Sequence, residues 1–257
     1  MKVYLRFLAI HLKSAMTYRG SFLLSCLGQL LATVNTFLGI CFLLQRFDTL
    51  GGYTLPEITL SYSVILIAYT VAKCFARGFD LFSRTLADAG FDRMLVRPRS
   101  PLFQVLCQDL RPSSLPGILQ GIVMLVYAIT AGAVEWTLPK ALVLLLMICC
   151  GAAIFFGIFL FSATLCFFTV ESLEVMNIFT NGVLEYGKYP FGVYGKGVLA
   201  VVTFLFPIAL TQYWPLQYLL GRGPGWFGLL PVVSLLFLIP CAIFWNFGIS
   251  RYRSTGS

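Results

Sequence analysis

Charge is scarce in this sequence, and acidic charge scarcer still. Of 257 residues, 11% are charged, 10 are Asp or Glu, and one is histidine. An ordinary soluble domain carries about 25% charged residues. The 59% hydrophobic content exceeds what a soluble core of this length needs, and it excludes disorder. The patterns GxxxxGK(S/T), HExxH and GxSxG are absent, so the chain offers no Walker-type phosphate loop, zincin helix or nucleophile elbow. A histidine-based dyad would have to use His11, which sits in an N-terminal segment of another character. None of the eight cysteines forms a CxxC pair. Cys26, Cys41, Cys74, Cys149, Cys150, Cys166 and Cys241 lie in or beside apolar runs and Cys107 just before one, which favours packing over zinc. No N-x-S/T sequon occurs.

What is there is membrane sequence. A spanning helix needs about 20 mostly apolar residues. Six segments qualify, near 21–44, 58–76, 114–134, 140–169, 194–213 and 226–248. The expected fold is therefore all-α: a polytopic, six-span membrane protein in one domain over residues 1–257. With both termini inside, fifteen Lys and Arg fall on the cytoplasmic side, Lys188 and Lys196 among them. Only Arg46, Lys140 and Arg222 fall outside. That bias explains the net charge of +8 as membrane orientation, and no aromatic-basic pattern points to nucleic acid.

Two segments read as helices lying on a membrane surface. In residues 1–19, Lys2, Arg6 and Lys13 share one face, opposite Tyr4, Phe7, Leu8, Ala15 and Tyr18. In the polar loop 77–112, Arg77, Asp80, Arg84 and Asp88 share a face, with Asp80–Arg84 and Arg84–Asp88 at ion-pair spacing. Phe79, Phe82 and Leu86 take the other face, as an exposed aromatic ridge fit for docking or for lying on lipid. Pro98 forbids a continuous helix through FDRMLVRPRS.

Inside the spans, chemistry is sparse. The carboxylates are expected to avoid the middles of spans: Glu171 and Glu174 at the inner end of the fourth, Glu57 and Glu135 at outer edges. That lowers the case for an ion-coupled transporter, which shows an ionisable or broken-helix site near the midplane. Pro207 and Pro215 interrupt FLFPIALTQYWPLQYLLG. Gln212, Tyr213 and Trp214 then belong either to an aromatic belt beside an ordinary kink or to a re-entrant outer gate over residues 206–225. Asn35 and Thr36 in the first span, with Ala153 and Gly157 in the fourth, mark either a seam between two subunits or packing within one.

GFDRMLVRPRSPLFQ at 90–104 and FPIALTQYWPLQYLLG at 206–221 sharpen this layout. The chain resembles the membrane subunit of a type-2 ATP-binding-cassette (ABC) exporter, in a bacterial subfamily with an LLxRP segment and a late PxxxLLG segment. The resemblance implies an N-terminal elbow helix, a coupling helix in the first cytoplasmic loop and short outer re-entrant helices. It implies a bacterial plasma membrane location. It makes Phe79, Phe82 and Leu86 ATPase-facing, with Asp92, Arg93, Arg97 and Pro98 shaping the loop that follows. Partners would be an ABC ATPase dimer, a second permease subunit and membrane lipid. ATP and Mg would sit on the ATPase, with no cofactor and no catalytic residue here. The expected function is movement of a hydrophobic or amphipathic substrate, as export. The alternatives are an ion-coupled transporter or channel without an ATPase, and a membrane enzyme whose clustered polar groups the sequence does not supply.

Overall fold

The structure, a computed structural model, describes residues 19–47, 49–110, 112–169 and 178–252, with Ile10, Lys13, Ser14 and Thr17. Most of the expected surface helix at 1–19, with His11, lies outside the described residues, as do Arg111, Glu171 and Glu174.

In chain order the helices are α1 (Arg19–Arg46), α2 (Leu55–Phe75), then four short ones: α3 (Arg77–Asp80), α4 (Phe82–Ala87), α5 (Gly90–Leu95) and α6 (Pro101–Gln108). After them come α7 (Leu115–Thr130), α8 (Leu138–Thr169), α9 (Val183–Tyr186), α10 (Lys196–Phe204), α11 (Tyr213–Leu219), α12 (Leu230–Ser234) and α13 (Leu238–Arg251). Five helical stretches are long and apolar enough to cross a membrane: 19–46, 55–75, 112–130, 138–169 and 225–251. The protein is a polytopic all-α membrane protein.

The α2 helix is the axis of the bundle, packed between α7 and α8. Its start is built by Thr54, whose N–H donates to the Glu57 carboxylate at 2.9 Å, and by Pro56 in the first turn. Within it, the hydroxyls of Thr59, Ser63 and Thr70 donate to carbonyls of Leu55, Leu60 and Leu66. These polar side chains are thus satisfied by their own helix, which lets them sit in an apolar interior. Close approach of α7 depends on Gly117 and Gly121, four apart. A Cβ at those positions would lie 2.8 Å from Thr70 Cγ2 and 2.6 Å from Ile67 Cγ1. On the far side, α13 packs along α8. The α1 helix is peripheral, and most of its surface is uncovered within one chain.

One expected span is not a single long helix. The segment 194–213 breaks into nine-residue α10 and an irregular turn before α11. Nine residues of helix extend about 14 Å, half the apolar thickness of a bilayer. The turn reaches deep: Phe206 meets Phe161 at 5.8 Å and Phe237 at 5.9 Å, and Thr211 approaches Gly151 of α8. The chain then rises through α11, which packs on 225–229. Its backbone polar groups are satisfied locally, as where Ala209 N–H donates to Val202 O at 2.8 Å.

The stretch that runs the length of the bundle here is 178–194. Asn181 lies at Lys73 near one end of α2. Gly187 lies against Ile65 at its middle, and Val193 against Gly51 beyond its other end. Lys188 therefore lies near the middle of the bundle and Lys196 toward its Gly51 end.

Candidate functional site

The Arg77 end carries the polar loop as four short helices folded under the bundle. The expected continuous helix is broken at Leu81, and Arg77 pairs with Asp80. The expected exposed ridge is turned inward: Phe79, Phe82 and Leu86 are all buried. Phe79 stands edge-on to Phe156 at 5.3 Å, and Phe82 packs on Phe91, Phe167 and Trp245 at 5.1 to 5.3 Å. The correction has a simple cause. Three apolar side chains beside exposed ends of α8 and α13 gain more by covering them than by facing water. Gly78 permits the fold, since a Cβ there would lie 1.8 Å from the Val105 carbonyl oxygen.

What this loop exposes is its tip. Residues 95–100 are all exposed, Val96 at 85% and Leu95 at 43%. Arg93, Arg97 and Pro98 are exposed with them, and Asp92 is half-buried. The tip is held rigidly for a turn. Ser100 Oγ accepts from Phe103 N–H, and Gln104 Nε2 donates to Met94 O at 2.8 Å and Arg99 O at 2.9 Å. Behind it is a cavity of about 320 Å³ lined by Met94, Arg97, Arg99, Phe103, Gln104 and Cys107. Gln104 Oε1 is buried with no hydrogen-bond partner among the described residues, and burial pushes the Cys107 thiol up. Neither Arg97 nor Arg99 has an acidic partner among the described residues.

At the opposite end, Arg222 donates to Glu57 Oε1 at 2.7 Å and lies over the Tyr53 ring. Gln217 Nε2 donates to the Tyr53 hydroxyl at 2.5 Å. These contacts pin the start of α2 to α11. The expected gate residues sit deeper than an interface. Gln212 is buried, and its Nε2 donates to Ser61 Oγ at 2.7 Å and Gly187 O at 3.2 Å. Pro207 and Pro215 are buried as well. Tyr213 packs where a Cβ on Gly192 would be 2.5 Å from its hydroxyl, and Trp214 stacks edge-on to Phe227. Together they tie the re-entrant turn to α2 and to 178–194.

The four seam candidates divide. Asn35 is exposed, and Thr36 beside it meets the Tyr62 side chain on α2. Gly157 belongs to packing within the chain, since a Cβ there would lie 2.8 Å from Leu238 Cδ2. Ala153 is half-buried on the same helix.

The polar groups that sequence reading missed are on 178–194. Lys73 Nζ donates to the Tyr69 hydroxyl at 2.8 Å and to Asn181 Oδ1 at 3.1 Å, and Tyr69 donates to the same amide oxygen. One turn on, Glu185 pairs with Lys188, at the level where Gly187 touches the middle of α2. Glu185 thus lies level with the middle of α2, outside the five long apolar helices. The signal was available in the clustering of Asn181, Glu185 and Lys188 just after a 32-residue apolar helix. Among the described residues, no group of three or more His, Cys, Asp or Glu is placed to hold a metal.

A family model described as an ABC-2 family transporter protein matches residues 30–256. No curated protein matches the chain, and no solved structure does.

Proposed function

The chain belongs to the ABC-2 family of transporter membrane proteins, and on that premise we propose that it is the permease subunit of an ABC exporter for an amphipathic substrate. ATP and Mg bind a separate ATPase dimer. A second permease subunit, identical or related, completes the path through the bacterial plasma membrane. The chain crosses six times, with 178–194 contributing to the fifth crossing, and both termini are cytoplasmic. The Arg77 end, with most of the basic residues, faces the cytoplasm.

One observation carries the coupling part of this reading: the tip at Leu95 to Ser100 projects apolar side chains between arginines, in front of a cavity lined by Arg97 and Arg99, which have no acidic partner among the described residues. An exposed apolar knob ringed by cations suits a partner surface of apolar and acidic groups. Phe79, Phe82 and Leu86 then act from behind. They anchor the loop to α8 and α13, so that a push on the tip reaches the spans as a rigid displacement.

Co-purification with a partner ABC ATPase tests it. Val96→Asp with Arg97→Glu is expected to abolish ATPase recovery while membrane insertion stays normal. Full recovery of an active complex from that variant would remove the tip from the coupling interface.

A further inference from the structure

The cavity behind the loop tip has a lining that docking of the tip leaves unused. Its volume of about 320 Å³ is at the small end of ligand sites, which run from about 300 to 1,000 Å³. Met94 and Phe103 give it an apolar wall, Gln104 an amide, and Arg97 and Arg99 two guanidinium groups.

Each of these groups asks for a different part of one ligand. Arg97 and Arg99 are brought together by a tight turn, in which Arg99 N–H donates to Arg97 O at 2.8 Å. Two planar forks at one cavity, with no acidic partner among the described residues, suit a phosphate. The Gln104 amide is oriented by its Nε2, which donates to Met94 O and Arg99 O. Its Oε1 is the end left over, buried and without a hydrogen-bond partner among the described residues. That oxygen needs a donor, which a bare anion does not have and a hydroxyl does. Phosphate, hydroxyl and a hydrocarbon stem together describe a glycerophosphate ester.

The cavity also lies where such esters are concentrated. The α6 helix supplies one wall, and Gln108 at its end comes four residues before the apolar stretch that starts at Pro112. Four residues span at most about 14 Å. The headgroup layer on each side of a bilayer is about 5–8 Å deep. Gln108 therefore lies in that layer or just beyond it. Its amide and the Thr85 hydroxyl bond at 3.0 Å, which fixes this wall against α4. Basic pockets at this depth attract anionic headgroups.

We propose that this cavity binds the glycerophosphate headgroup of an anionic lipid such as phosphatidylglycerol, in the leaflet at the Arg77 end. The phosphate sits on Arg97 and Arg99, a glycerol hydroxyl donates to Gln104 Oε1, and the acyl stem leaves over Met94 and Phe103. Because Gln104 also holds the Met94 and Arg99 carbonyls, the bound lipid braces the tip from behind. The proposal goes beyond the coupling reading and does not rest on it.

The test titrates the full chain in dodecylmaltoside micelles with dioctanoyl-phosphatidylglycerol, followed by isothermal titration calorimetry. Saturable binding is expected. Arg97→Gln with Arg99→Gln should weaken it at least about tenfold, the size of one lost charge-assisted contact. Arg93→Gln alters an exposed arginine of the same loop outside the cavity lining and should leave affinity unchanged. Dioctanoyl-phosphatidylcholine, zwitterionic and without a hydroxyl, should bind about tenfold more weakly to the unmutated chain, a comparison that stands however the variants fold. Soluble glycerophosphoglycerol tests the source: weaker binding than the lipid supports a bilayer origin, and equal affinity would overturn it in favour of a free ester. No saturable binding, equal affinity for both lipids, or an equal loss in Arg93→Gln would overturn the site. Absent lipid binding together with lost ATPase recovery in the double variant would assign the arginines to carboxylates of a protein partner.

Discussion

The α8 helix and the segment from 178 to 219 pass through the same apolar layer by opposite means. One is a single 32-residue helix with no charged residue after Lys140. The other is short helices and turns, holds Asn181, Glu185 and Lys188, and doubles back at Phe206. The first satisfies its backbone by regular helix bonds and needs no help from its neighbours. The second depends on neighbours at every break, through Gln212 reaching Ser61 and Gly187, and Tyr69 with Lys73 reaching Asn181. Irregular backbone in a membrane is tolerated where it is buried in protein or lines a cavity.

That contrast can be broken at either side. The largest effect is expected at the foot of α8. Phe82→Ala removes a fully buried ring from the Phe91, Phe167 and Trp245 cluster and should cost about 3–5 kcal/mol. Thermal unfolding in detergent would register it, and an unchanged midpoint would mean that the loop is not anchored there. On the broken segment, Gly187→Val places atoms where even a Cβ would lie 2.4 Å from Ile65 Cδ1. Overpacking of this kind costs about 1–3 kcal/mol, and protease sensitivity should rise first near residue 187. Gln212→Leu deletes the amide that holds Ser61 and the Gly187 carbonyl, for about 1–3 kcal/mol. Its signature is loss of transport beyond the loss of stability, because the turn is then free to shift. The smallest effect belongs to Arg222→Ala. Its side chain is 40% exposed, so the pair with Glu57 is worth about 1 kcal/mol or less, weakening further in salt.

Much of this fold was legible in the sequence, for a physical reason that also explains the failure. Apolar windows found the crossings at 19–46, 55–75, 112–130, 138–169 and 225–251, since each is mostly aliphatic along its length. The window at 194–213 is as apolar but too interrupted to be one helix, and it enters and leaves by the same end. Hydropathy reports which residues tolerate an apolar setting and says nothing about whether the chain continues through it. In the same way, 178–194 escaped notice because its polar groups have partners on α2, which no single segment reveals. At the loop, helical periodicity correctly separated Phe79, Phe82 and Leu86 from Arg77 and Arg84. It could not say which face would find a partner inside the chain. Gly117 and Gly121, which set the approach of α7, were equally visible as a four-residue pair but were passed over for Ala153 and Gly157.

The most direct measurement asks on which side of the membrane Lys196 lies. In a cysteine-free background, Lys196→Cys and Arg97→Cys would be labelled in intact cells with a membrane-impermeant maleimide. A fifth crossing through 178–194 predicts that position 196 is labelled from outside and position 97 only after permeabilisation. Labelling of both positions only after permeabilisation would restore 194–213 as the crossing and contradict the account.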